Sequence, residues 1–246
     1  MTPPPNAAAH RNRSAAPGLA VQAHAGLAVR GHGGQDGPEP LAEVAAAAHA
    51  CRVCANVLPL GPRPVFRAST TARLLIVGQA PGTKVHATGV PWNDPSGDRL
   101  RLWLGMDRDT FYDEARIAIV PMGLCYPGRL PNGGDAPPRP ECAPLWRERL
   151  VRAMPAIRLT LLVGMYALTH TLGRGAMTER VHAYREYLPR YFALPHPSWR
   201  TTAWERRNPW FAAEVLPALR EAVGKALDGS TSPVAQEKQE RQERSG

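Results

Sequence analysis

The chain contains four cysteines, Cys51, Cys54, Cys125 and Cys142: a tight Cys-x-x-Cys pair and then a distant pair. A Cys-x-x-Cys turn presents two thiolates to one ion or cluster, and the distant pair must come from another part of the fold. A metal held by all four would therefore staple the start of a domain to its middle. Disulfides fit less well, because small secreted scaffolds carry denser cysteine and the start of this chain lacks an apolar stretch after its charged residues. On spacing alone the quartet is a site for an iron-sulfur cluster or for zinc.

A second set of chemically capable residues follows short apolar runs. Gly78-Gln79-Ala80-Pro81-Gly82 follows the run 73–77, Pro121-Met122-Gly123-Leu124-Cys125 follows 116–120, and His196-Pro197-Ser198 follows 191–194; a further run covers 159–163. Each run is continuous, not alternating, as expected for strands buried on both faces. Helical candidates lie at 98–104, 144–154, 166–172 and 209–227. Strand and helix in alternation predict an α/β fold of three layers, α/β/α, around a four-stranded parallel sheet. Ligands of such sheets bind at the carboxyl ends of the strands, so the three loops should converge. The run Gly-Gln-Ala-Pro-Gly-Thr-Lys is not a phosphate loop: Thr83 precedes Lys84, and no helix is expected after it.

At 246 residues and 43% hydrophobic the chain can bury one good core. No run approaches the roughly 20 apolar residues of a membrane span, so a soluble, cytoplasmic monomer without a membrane partner is expected. Residues 1–40 are rich in Pro, Ala and Gly without periodicity and are expected to form a disordered leader, with the domain at 41–228 and a disordered charged tail at 229–246. The formal charge is +9; the leader carries +1 of it and the tail none, which leaves about +8 on the domain. A domain that basic commonly meets a polyanion, above all nucleic acid.

Taken together, the quartet and the loops resemble the uracil-DNA glycosylase superfamily, in particular its iron-sulfur families four and five, over roughly residues 48–223. A strand followed by Gly-x-x-Pro-Gly is matched by Gly78–Gly82, the family's Thr-Gly-Arg-Pro-Phe by Thr88-Gly89-Val90-Pro91-Trp92, and its His-containing loop by His196–Ser198. Family four has an acidic residue where this chain has Gln79 and an Asn where it has Pro121. Family five has Gly-x-Ala-Pro-Gly and Asp-x-Ser-Gly, as here in Gly78–Gly82 and Asp94-Pro95-Ser96-Gly97, across a one-residue deletion between Trp92 and Asp94. The chain is closer to family five.

That resemblance implies a monofunctional DNA repair glycosylase that hydrolyses the N-glycosidic bond of uracil in DNA, with other deaminated bases left open, and a four-iron four-sulfur cluster on Cys51, Cys54, Cys125 and Cys142. Cleavage builds positive charge on the sugar and negative charge on the base, so a carboxylate and a hydrogen-bond donor are needed. Asp94 takes the first role and His196 the second. Local sequence alone favours Asp94 as a helix cap, and Asp98 is the alternative carboxylate. Trp92 takes the stacking position for a flipped base, beside the backbone of Gln79 and Ala80. The stretch 199–211 holds three Trp, three Arg and one Phe. In the resemblance, Trp199 and Arg200 press on DNA and Arg206 and Arg207 contact phosphates, whereas Trp210 and Phe211 pack inward. The alternative from another class is a non-catalytic protein on the same fold that binds damaged DNA; an iron-sulfur redox protein is disfavoured by the charge and by the lack of a second cofactor site.

Overall fold

The computed structural model describes residues 39–131 and 133–228. The expected tail, and the expected leader up to residue 38, lie outside the described residues. In chain order the elements are α1 (Leu41–His49), β1 (Leu74–Val77), α2 (Thr83–Thr88), α3 (Pro95–Leu104), α4 (Arg108–Tyr112), β2 (Ile117–Ile119), α5 (Glu148–Arg152), β3 (Leu159–Val163), α6 (Met165–Leu172), α7 (Met177–His182), β4 (Tyr191–Leu194), α8 (Thr202–Arg207) and α9 (Leu216–Asp228). A wide π turn, Ala143–Arg147, leads into α5, and another, Phe211–Val215, leads into α9.

The four strands form one parallel sheet in the order β2-β1-β3-β4. Their continuous apolar runs have a direct cause: successive side chains enter opposite layers. Leu74 and Ile76 join Leu161, Val163 and Phe192 on the face covered by α3 and α9, with Trp103, Phe111 and Leu219. Leu75 and Val77 join Leu162 and Ala193 on the face covered by α1, α5 and α6, with Val44, Leu150 and Leu168. Two dry layers satisfy both faces of a parallel sheet. The chain leaves β1 toward β2 on one side and later returns to β3 on the other, so a topological switch point lies at the carboxyl end of β1, where such sheets open a crevice.

One expectation needs correction. A helix, α2, does follow the glycine loop. Its sequence, Thr-Lys-Val-His-Ala-Thr, is poor in strong helix formers and buries only Val85, so tertiary contact and the left-handed Gly89 that ends it decide its existence. The order Gly-Thr-Lys still excludes a phosphate loop. Just before α1, the Pro40 carbonyl accepts the N–H groups of Glu43 and Val44, and Glu39 pairs with Arg149 through two bonds of 2.7 and 2.8 Å.

Candidate active site

The loops after β1, β2 and β4 meet at one crevice, of about 570 Å³, lined by Gly78, Gln79, Ala80, Pro81, Gly82, Trp92, Asp94, Ser96, Pro121, Asp135 and His196 among others. Asp94 and His196, the first choices for catalysis, and Gln79, Ala80 and Trp92, expected at the base, are all on this wall.

Asp94 does two things at once. Its Oδ1 accepts the Gly97 N–H at 2.8 Å as the N-cap of α3, with Pro95 opening the helix. Its Oδ2 faces the crevice: a β-carbon placed on Gly82 would lie 4.0 Å from it. The cap and the catalytic reading are therefore compatible, because the two oxygens are separate. Asp98 is different. It is one turn further on, largely exposed, and ion-paired with the buried Arg101, and it does not line the crevice.

Trp92 is held in an unfavourable backbone conformation, φ +56°, rare for a bulky residue. Such strain costs on the order of 1–3 kcal/mol and persists only where neighbours over-determine it. Here Arg101 Nη1 donates to the Trp92 carbonyl at 3.3 Å and the Tyr112 hydroxyl to the Pro91 carbonyl at 2.8 Å. Two glycines make the space. A β-carbon on Gly78 would sit 2.8 Å from the Trp92 ring, and one on Gly97 would sit 1.7 Å from the Trp92 carbonyl oxygen. The ring thus lies over the end of β1, its centroid 5.7 Å from that of His196.

His196 leaves the end of β4 beside Gly164, whose left-handed backbone (φ +85°) and missing side chain admit it; a β-carbon there would touch the His196 Cβ at 3.3 Å. The Ser198 N–H and the Thr201 hydroxyl both donate to its carbonyl. Burial pushes the imidazole below its ordinary pKa against the opposing pull of Asp94, so it is neutral near pH 7 and offers a single N–H.

Three contributors to the site go beyond the sequence-based expectations. Asp135, at the crevice mouth, comes from the glycine-rich stretch between Cys125 and Cys142. Gln79, expected to offer its backbone, uses its side-chain amide to donate to the Ala136 carbonyl at 3.1 Å and so holds that stretch against the loop after β1. Arg99 on α3 donates to the Ser198 carbonyl at 2.8 Å and pairs with Glu205 at 2.7 Å, which locks the helix capped by Asp94 to the segment after His196. No local motif signals Asp135, Arg99 or the side-chain contact of Gln79, because each contact joins distant segments.

The expected DNA-contacting residues lie on that segment. Trp199 is 78% exposed, which is unusual for its size, and the Arg200 guanidinium lies 5.5 Å from its ring centre. Arg206 and Arg207 are exposed at the end of α8, and the Arg207 Nε donates to the Ala203 carbonyl. Phe211 is buried and Trp210 packs edge-on against Trp204, as expected.

All four cysteines line a second cavity, of about 30 Å³, and none is in a disulfide. Among the described residues no group of three or more His, Cys, Asp or Glu side chains is set to hold a metal ion as it stands. The lining nevertheless suits a negatively charged sulfur-rich group. The Leu124 N–H donates to Cys142 Sγ at 3.2 Å, the Arg63 N–H points to Cys125 and the Arg139 side chain to Cys54. Arg139 Nε and Trp146 Nε1, both on residues of this lining, are buried donors without an acceptor among the described residues. Burial pushes the Cys125 thiol up to about 11 and raises Cys142 as well, so free thiolates are disfavoured there and a bound cation would be needed to hold them.

The profile of the Uracil DNA glycosylase superfamily matches residues 66–220, from the approach to β1 into α9. The chain belongs to that superfamily.

Proposed function

We propose that this member of the superfamily is a monofunctional uracil-DNA glycosylase of base excision repair, closest to family five. The observation that carries the reading is the convergence of Asp94, His196 and Trp92 with the Gly78–Gly82 loop on one crevice at the switch point of the sheet. A uracil turned out of the duplex would stack on Trp92 between the backbone groups of Gln79 and Ala80, recovering the few kcal/mol spent on unstacking. The neutral His196 donates its N–H to the pyrimidine oxygen where negative charge collects. Asp94 Oδ2 stabilises the positive sugar and orients water toward it. Trp199 wedges into the space left by the base, with Arg200 beside it and Arg206 and Arg207 on phosphates.

Cys51, Cys54, Cys125 and Cys142 would hold a four-iron four-sulfur cluster, with zinc as the alternative. Two features support a metal group there: the four sulfurs line one cavity, and N–H donors face them, as they do around the sulfurs of iron-sulfur clusters. When bound it supplies structure, tying the Cys51–Cys54 turn to the segment beyond β2; the chemistry belongs to the crevice.

The test uses uracil-containing single- and double-stranded oligonucleotides, incubated with the iron-loaded protein and then treated with alkali. Strand breaks at the uracil position are expected. Binding to uracil-DNA without breaks in either substrate would overturn the reading and leave a protein that recognises damage without cutting.

A further inference from the structure

Two acidic side chains line the crevice among the described residues, Asp94 and Asp135. The loop that carries Asp135 is built to hold it. Arg129 and Asp135 form an antiparallel bridge, the Leu130 N–H donates to the Gly134 carbonyl at 3.0 Å, and the Ala136 N–H donates to that of Gly128 at 2.8 Å. From the facing wall, Gln79 grips the Ala136 carbonyl. A β-carbon on Gly82 would lie 3.3 Å from Asp135 Oδ2 and 4.0 Å from Asp94 Oδ2, so the two carboxylates look onto the same point. They differ in one respect. Asp94 has an oxygen committed to its helix cap, whereas among the described residues the Asp135 carboxylate accepts no hydrogen bond and its residue stays open to solvent at the mouth.

We propose that Asp135 is the general base of the hydrolysis, taking the proton of the attacking water while Asp94 supplies the fixed charge beneath the sugar. This rests on the reading of the protein as a glycosylase. As the bond between C1′ and the base nitrogen breaks, its electron pair leaves with the base. The water oxygen forms the new bond to C1′, and the proton it sheds moves to Asp135 and on to bulk water. No further reactant is needed. The charged groups facing Asp135 are Arg129 on its own loop, Asp94 at the start of α3 and Arg200 after β4, with the neutral His196 beyond Asp94. Partial burial and Asp94 together raise the carboxyl above its ordinary pKa, against the two arginines. A carboxylate so placed is a better proton acceptor than an unperturbed one.

Single-turnover cleavage of a uracil oligonucleotide, followed from about pH 4 to about pH 8, separates this role from a structural one. The wild-type rate should fall on the acid side as Asp135 is protonated. Asp135→Asn should cut the plateau by on the order of a hundredfold or more, the usual share of a general base, and lose that acid limb. Asp135→Gly should regain rate on addition of formate, and Asp135→Glu should keep both a reduced rate and the limb. Asp135→Asn with the wild-type rate and profile would overturn the assignment. So would a loss with the acid limb unchanged and no formate rescue, which would make Asp135 a loop-holding residue. A wild-type protein that leaves uracil-DNA uncut would instead refute the glycosylase reading, and this assignment with it.

Discussion

Replacing Asp94 separates the helix cap its carboxylate makes from the catalytic role proposed for it. Oδ1 caps α3 and Oδ2 faces the crevice. In Asp94→Asn the amide oxygen can keep the bond to the Gly97 N–H, since Asn caps a helix as well as Asp does. What disappears is the negative charge at the helix N-terminus, worth about 0.3–1 kcal/mol. Asp94→Ala loses the bond too, for about 1 kcal/mol more. Catalysis follows another scale. Removing one preorganised group aimed at developing charge costs about 3–4 kcal/mol, and at about 1.4 kcal/mol per decade that is two to three orders of magnitude in rate. Urea unfolding and single-turnover cleavage should therefore diverge: Asp94→Asn nearly as stable as wild type, Asp94→Ala about 1–2 kcal/mol weaker, and both slowed at least a hundredfold. Asp98→Asn is the control. Its carboxylate holds Arg101, which steadies the Trp92 turn, so a modest loss in both measurements is expected. Near-wild-type turnover in Asp94→Asn together with a collapse in Asp98→Asn would refute the assignment.

Anaerobically purified protein should be brown with about four irons per chain, and Cys125→Ala should lose iron and solubility together, since metal binding and folding are coupled; a colourless, zinc-stoichiometric preparation from iron-supplied cells would exclude the cluster. Gly97→Ala drives a β-carbon into the Trp92 carbonyl, a backbone atom that cannot swing aside, so unfolding should show a loss of about 1–3 kcal/mol and cleavage should fall with it. Deleting residues 1–38 should leave the melting temperature unchanged, whereas deletion through Pro40 removes the Glu39 pair with Arg149 and the first carbonyl acceptor of α1 and should lower it measurably. Arg206→Ala should weaken DNA binding and reduce its salt slope by about one contact, while Trp199→Ala should slow cleavage of duplex more than of single strands; equal salt slopes for wild type and Arg206→Ala would remove Arg206 from the phosphate contacts.

The sheet was legible because a parallel strand buried on both faces cannot hide its composition. Leu74–Val77 and Leu159–Val163 carry no polar residue except Thr160, and each observed strand falls within one residue of its expected place. The helices that cover it were legible where they bury a long apolar stripe, as α9 does through Leu219, Val223 and Leu227. Short elements were not. α2 and α4 bury one side chain each, Val85 and Phe111, too little for a periodic signal. The π turns before α5 and α9 bury Trp146 and Phe211, and no propensity scale encodes such turns.

Residues of the site were legible in proportion to how far their chemistry constrains their neighbours in sequence. The cysteines stand out by type and spacing, and Gly78 stands out because it must leave room for the Trp92 ring. Asp135 sits in Pro-Asn-Gly-Gly-Asp-Ala-Pro-Pro, which reads as a plain connector. What sets it apart is position: Gln79 holds the neighbouring Ala136 carbonyl, and the Asp135 carboxylate lies beside Gly82, both far earlier in the chain. The same loop begins beside Cys125 and ends beside Cys142, so the cysteine cavity and the crevice share one segment. Gln79 holds the middle of that segment, the proposed cluster would fix its two ends, and the carboxylate between them reaches the crevice from a chain segment with no strand or helix of its own. A glycine-rich loop can carry a chemical group only under such restraint, which Gln79 supplies from one side and the proposed cluster would supply from the other.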